Sequence, residues 1–149
     1  MNEFKLVINT QKEMIEFGEM IGRMAYPNMI ITLTGDLGAG KTTMTKGIAR
    51  GLGVTGIVNS PTYTILKIYQ GRLTLYHMDV YRILDAFGDF ELEEYFEDDG
   101  VCVIEWAEQI KELLPDERID IVITVREDGS RILLIKNSEE LRKLCGKWL

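Results

Sequence analysis

Residues 31–42 read Ile-Thr-Leu-Thr-Gly-Asp-Leu-Gly-Ala-Gly-Lys-Thr, an apolar strand that breaks into Gly35-x-x-x-x-Gly40-Lys41-Thr42. No other stretch constrains the chain as tightly. Glycines at 35, 38 and 40 let successive backbone N–H groups close on an anion, and a helix starting behind them adds its positive end. In such a loop Lys41 reaches the terminal phosphates as a point charge, and the Thr42 hydroxyl ligates the Mg²⁺ that bridges them. Gly35, Asp36, Leu37, Gly38, Ala39, Gly40, Lys41, Thr42 and Thr43 together form the expected phosphate cradle. A chance glycine-rich turn lacks flanking elements of the right kind. Here the apolar run Met29–Leu33 leads in and Thr43–Arg50 reads as the helix behind, as a P-loop requires.

The rest of the chain alternates strands and helices. Phe4–Ile8 alternates as a strand, and Thr10 with Glu13 has capping-box spacing at the head of a helix. That helix carries Met14, Phe17, Ile21 and Met24 at spacings of three or four and reaches about Ala25 before Pro27. The P-loop helix is expected to stop near Gly51–Gly53, and Val54–Thr62 to form a loop. Tyr63–Tyr69 and Arg72–Asp79 read as a hairpin around Gln70-Gly71. A short helix is expected around Phe90–Phe96. Val101–Ile104 lacks alternation, as suits a strand buried on both faces. Ala107–Leu114 reads as a helix ended by Pro115, Arg118–Arg126 and Arg131–Lys136 as a hairpin about Asp128-Gly129, and Ser138 as the cap of a helix to Leu149. The sum is a single α/β domain over residues 1–149 with a P-loop NTPase fold: a mixed sheet with a parallel core, antiparallel hairpins, and helices on both faces.

A chain of 149 residues with 46% hydrophobic and 28% charged residues suits one soluble domain. Its longest apolar runs fall far short of the roughly 18 residues a membrane span needs. The N-terminal residues show no secretory pattern, so the expected location is the cytoplasm. Cys102 and Cys145 read as buried thiols rather than a disulfide or zinc pair. The net charge of −7 is carried by the second half: from Asp85 onward there are eighteen carboxylates against eight basic residues. Residues 85–99 hold eight carboxylates and no base, a poor surface for a nucleic-acid backbone. Such a run is a solvated face or a docking patch for a basic partner.

In open α/β sheets ligands lie beyond the carboxyl ends of the parallel strands, so acids at strand ends are the candidates for chemistry. Glu105 ends the buried strand in the manner of a Walker B acid, placed to hold Mg²⁺ or orient an attacking water. Asp79 ends the second hairpin strand, and His77 lies two residues earlier on the same face. A lone histidine there reads first as structural. Ser60-Pro61-Thr62-Tyr63 stands where a switch segment would sense the terminal phosphate, or is simply a turn that begins a strand. Trp106 is either core or a partner anchor.

Four ordered motifs carry a resemblance: Gly35–Thr43, Ser60-Pro61-Thr62-Tyr63-Thr64, His77-Met78-Asp79-Val80-Tyr81-Arg82 and Ile104-Glu105-Trp106. They resemble the TsaE family, small bacterial P-loop ATPases needed for the threonylcarbamoyl modification of tRNA adenosine 37 (t6A). The resemblance implies an ATPase acting on a complex of TsaB and TsaD, with tRNA engaged only through that complex and no membrane involved. It implies ATP and Mg²⁺ as cofactors, Lys41, Asp79 and Glu105 as catalytic residues, and Thr42, Asp79 and Glu105 at the metal. Thr62 would belong to the switch, and Thr10 and Arg131 would touch the nucleotide. A small-molecule P-loop kinase is the competing function, with Asp79-x-x-Arg82 as acceptor site. A kinase closes an arginine-bearing lid, and residues 85–99 contain no arginine. A GTP switch lacks its Asn/Thr-Lys-x-Asp run, so ATP is the expected nucleotide and turnover by the chain alone is expected to be slow.

Overall fold

A computed structural model describes residues 3–36, 38–56, 58, 66–79 and 92–148. In chain order the elements are β1 (Glu3–Ile8), α1 (Gln11–Met24), β2 (Ile30–Thr34), α2 (Lys41–Gly51), β3 (Leu66–Tyr69), β4 (Leu75–Asp79), α3 (Leu92–Phe96), β5 (Val101–Glu105), β6 (Ile119–Val125), β7 (Arg131–Lys136) and α4 (Glu139–Leu144). The strands form one sheet ordered β1-β7-β6-β2-β5-β4-β3. β6, β2, β5 and β4 are parallel neighbours, while β1, β7 and β6 pair antiparallel at one edge and β3 pairs antiparallel with β4 at the other. This is the mixed sheet with a parallel core that the sequence predicts.

Alternation along the strands divides the interior. Ile31 and Leu33 of β2, Val101 and Val103 of β5 and Leu75 of β4 join the larger core with α1, α2 and α4. Ile30, Cys102, Ile104, Tyr76 and Met78 point the other way, into a smaller core with Phe96 of α3 and Ala107. Helical segments therefore cover both faces. All of β5 is buried, as its unbroken apolar run requires. Burial pushes the Cys102 thiol up to about 12 and the Cys145 thiol up to about 11, so both stay protonated core groups at neutral pH.

The Thr10 cap forms, with Glu13 reaching back to the residue before the cap rather than to the cap's own N–H. Thr10 Oγ1 accepts from the Glu13 N–H at 3.1 Å, and Glu13 Oε1 accepts from the Asn9 N–H at 3.0 Å, fixing the start of α1. α1 then lies on α2 at backbone contact. A Cβ at Gly18 would stand 2.4 Å from the Met44 carbonyl, and one at Gly47 would stand 2.4 Å from that of Ile15. Gly22 and Gly51 repeat the arrangement one turn along. Glycine costs a helix about 1 kcal/mol relative to alanine, and close approach is the compensating gain. Gly47→Ala is accordingly expected to destabilise the fold by about 2 kcal/mol despite its better helix propensity, because the atoms it meets are backbone and cannot rotate away. Denaturant titration checks this; an unchanged or raised midpoint contradicts it.

Several expected boundaries shift for tertiary reasons. The β3–β4 turn is wider than Gln70-Gly71, with β4 starting at Leu75 rather than Arg72. Arg72 is drawn off the ladder: its N–H donates to the Leu52 carbonyl at 2.6 Å, and its guanidinium donates to the Gly22 and Ala25 carbonyls at 2.9 and 3.1 Å. It thereby caps the ends of both α1 and α2. The expected helix after Trp106 is a 3₁₀ helix, Ala107–Leu113, entered from a left-handed residue without a side-chain cap. The last helix ends at Leu144, and a short 3₁₀ turn follows that sets Trp148 edge-on against Phe17, ring centroids 5.7 Å apart. Within the acidic stretch, α3 anchors residues 92–96; residues 85–91 lie outside the described residues. Asp98 accepts from the Tyr76 hydroxyl, a bond that together with burial pushes that phenol up to about 12. No helix among the described residues is long and apolar enough to cross a membrane.

Candidate active site

Strand parity aims the acids. Leu75 and Val101 face α2, so His77 and Asp79 on β4, and Val103 and Glu105 on β5, face it too. Asp79 and Glu105 are direct partners across the parallel β4–β5 pair, at the carboxyl ends of both strands. β2 stops beside them at Thr34, and the loop that follows turns into α2. Gly38 (φ 82°) and Gly40 (φ 115°) take left-handed conformations, and Gly40 is the N-cap of α2. The first turn of α2 carries no acidic side chain, so no residue of that turn neutralises the helix's positive end.

Lys41 is only 6% exposed. Its Nζ donates to the Gly35 carbonyl at 2.7 Å, stands 3.9 Å from Glu105 Oε1 and lies 4.5 Å from the centroid of the Trp106 ring. A buried ammonium thus has a carbonyl, a carboxylate and a π-face around it. Trp106 holds this position with φ 61°, a left-handed conformation uncommon for an aromatic residue. Glu105 is itself 4% exposed. Its second oxygen, Oε2, lies 2.7 Å from Nε2 of the fully buried His77.

Lys41, Glu105 and Trp106 line one cavity. A pocket of about 200 Å³ brings Lys41, Thr42 and Thr43 together with Asp79, Glu105 and Trp106. A second pocket, of about 270 Å³, shares Gly38, Gly40 and Thr43 with it and extends to Thr10 and Arg131. Arg131 braces the loop between them: its Nε donates to the Ala39 carbonyl at 3.1 Å, and its other nitrogens to the Gly38 and Gly129 carbonyls. Ser130, which precedes it, donates twice to Asp128, and those bonds hold the Asp128 carboxyl below the usual range.

A hydroxyl and two carboxylates form an all-oxygen donor set, the kind a hard divalent cation takes. Among the described residues no group of three or more His, Cys, Asp or Glu is arranged to hold a metal by itself.

The family model for "Threonylcarbamoyl adenosine biosynthesis protein TsaE" matches residues 8–133. The chain belongs to the TsaE family. It is 51% identical to the Bacillus subtilis tRNA threonylcarbamoyladenosine biosynthesis protein TsaE over 88% of its length and 84% of that protein's. It is 41% identical to the Treponema pallidum protein of the same name, over 88% and 98%. The crystal structure of Bacillus subtilis YdiB superposes with a TM-score of 0.83 at 42% identity, over 98% of this chain and 93% of that one. The architecture expected of the family is thus the one observed.

Gly38, Gly40, Lys41, Thr42, Thr43, Asp79 and Glu105 meet in the first pocket, while Thr10 and Arg131 stand at the second. Gly35 and Ala39 contribute carbonyls that hold Lys41 and Arg131, and Asp36 is exposed at the loop. Leu37 and Thr62, with most of the expected switch and Arg82, lie outside the described residues. Sequence reasoning did not single out Asn9, Gln11 or Gly129, which line the second pocket. Their signal was adjacency to Thr10 and Arg131.

Proposed function

We propose that this chain binds ATP with Mg²⁺ at the P-loop and hydrolyses it in the cytoplasm. Hydrolysis would serve a TsaB–TsaD complex that makes t6A at tRNA adenosine 37, with tRNA engaged only through that complex. One observation supports this above the others: Lys41, Thr42, Asp79 and Glu105 converge on a single cavity at the N-terminus of α2. In the proposal the loop amides and Lys41 bind the phosphates, and Thr10 and Arg131 flank the remainder of the nucleotide. Thr42, Asp79 and Glu105 hold the metal, directly or through water, and the metal when bound draws charge from the phosphate oxygens. Glu105, whose Oε1 stands 3.9 Å from Lys41 Nζ, is the residue proposed to orient the attacking water. Family membership favours this reading over a small-molecule kinase.

Lys41→Ala tests the site. Removal of the one ammonium in the loop is expected to eliminate most of the ATP–Mg affinity in calorimetry, with the circular dichroism spectrum unchanged. Wild-type affinity in a folded Lys41→Ala protein would overturn the assignment.

A further inference from the structure

His77 is fully buried within β4, on the face that carries Asp79, and pairs with Val103 of β5. A carboxylate only accepts, so at 2.7 Å from Glu105 Oε2 the imidazole Nε2 carries the hydrogen and donates it. The other ring nitrogen, Nδ1, is buried with no hydrogen-bond partner among the described residues. Packing alone gives no reason for an imidazole there, because an aliphatic side chain would fill the strand without an orphaned polar atom. What the imidazole supplies is one directed donor. The terminal torsion of a glutamate is broad and soft, and the bond from Nε2 fixes it. Oε2 is occupied, and Oε1 is left turned to Lys41 Nζ at 3.9 Å and to the cavity.

We propose that His77 is a positioning residue for the proposed reaction. By donating from Nε2 it locks the rotation of Glu105, so that a single oxygen, Oε1, is presented to the metal and the attacking water. The inference rests on the ATPase reading of Glu105. Supporting hydrogen bonds to metal-linked or catalytic groups commonly contribute about 10- to 100-fold, and that range is expected here.

His77 is the only histidine in the chain, which makes two readouts clean. In an ¹⁵N spectrum of the full-length protein its ring should show hydrogen on Nε2, and Glu105→Ala should shift that resonance. In steady-state turnover at saturating ATP, His77→Leu should lower kcat by about 10- to 100-fold and raise the Mg²⁺ concentration needed for half-maximal rate, with KM for ATP nearly unchanged. His77→Gln, whose amide nitrogen falls near the Nε2 position, should restore most of kcat. His77→Asn, whose amide falls near Nδ1, should not. The double variant His77→Leu/Glu105→Gln should be no slower than Glu105→Gln alone, because the histidine acts through the glutamate. Hydrogen on Nδ1, or equal and wild-type kcat in the folded Gln and Asn variants, overturns the positioning role. If Glu105→Gln itself turns over at the wild-type rate, the ATPase reading of Glu105 fails first. If Glu105→Gln is slow while His77→Leu is not, only the present inference fails.

Discussion

ATP turnover by the Glu105→Gln protein is expected to fall at least a hundredfold while ATP still binds. The substitution keeps volume and leaves an amide oxygen to accept from His77 Nε2, so the strand end and its 2.7 Å contact are preserved in shape. What is lost is the negative charge beside Lys41 Nζ, and with it the group able to draw a proton toward itself or hold a metal-bound water in line. Positioned acid/base groups typically contribute about 10²–10⁴ in rate. In the proposed reading binding depends mainly on the loop amides and the Lys41 ammonium, which the substitution retains, so KM and calorimetric affinity should move little. Phosphate release at saturating ATP checks the prediction. A wild-type rate would leave Glu105 as a carboxylate that merely terminates β5.

A larger change is expected when the partner is added. The chain alone should hydrolyse ATP slowly, and a TsaB–TsaD complex should raise the rate by about 10³ or more, the scale of a catalytic arginine supplied in trans. The site itself motivates this. Arg131, which lines the second pocket, is committed to the Gly38, Ala39 and Gly129 carbonyls. It braces the loop and is not among the described residues that line the Asp79–Glu105 cavity, where the proposed partner would supply its arginine. Trp106 stands at the rim of that cavity, half-buried and strained at φ 61°, where a partner could touch a residue already stacked on Lys41. Unstimulated turnover in the presence of the complex would remove the argument for a finger in trans.

The elements legible in the sequence were those set by local pattern. The glycine spacing of the P-loop, the Thr10–Glu13 cap and the unbroken Val101–Ile104 run each determined a piece of structure by neighbour-to-neighbour chemistry. Glu105 and Asp79 were legible because acids at the carboxyl ends of strands in an open α/β sheet stand where ligands bind. Their direct pairing was not, since the register of β4 against β5 depends on no periodicity within either strand. The same register hides the His77–Glu105 bond, which spans 28 residues of sequence. Arg72 shows the opposite failure: Gln70-Gly71 is a good local turn, yet three carbonyls at the ends of α1 and α2 outcompete the hairpin for the arginine. The glycines at 18, 22, 47 and 51 stand at helical spacing in the sequence, but that spacing acquires meaning only when α1 is known to lie on α2. The family resemblance named Thr10 and Arg131, but their meeting in a second pocket follows from the fold, because β7 brings Arg131 beside the head of α1 through its pairing with β1.

The central claim is that the nucleotide held by the P-loop is read by a protein partner. Its most direct test is the affinity of the full chain for TsaB–TsaD, measured side by side with ADP, ATP and a non-hydrolysable ATP analogue. A ligand shifts a binding equilibrium only by its differential affinity for the two states, so coupling must appear as a difference between these three numbers. Tighter association with ATP and the analogue than with ADP, by about 5- to 150-fold for a coupling of 1–3 kcal/mol, is the predicted result. Equal affinity in all three states would contradict it.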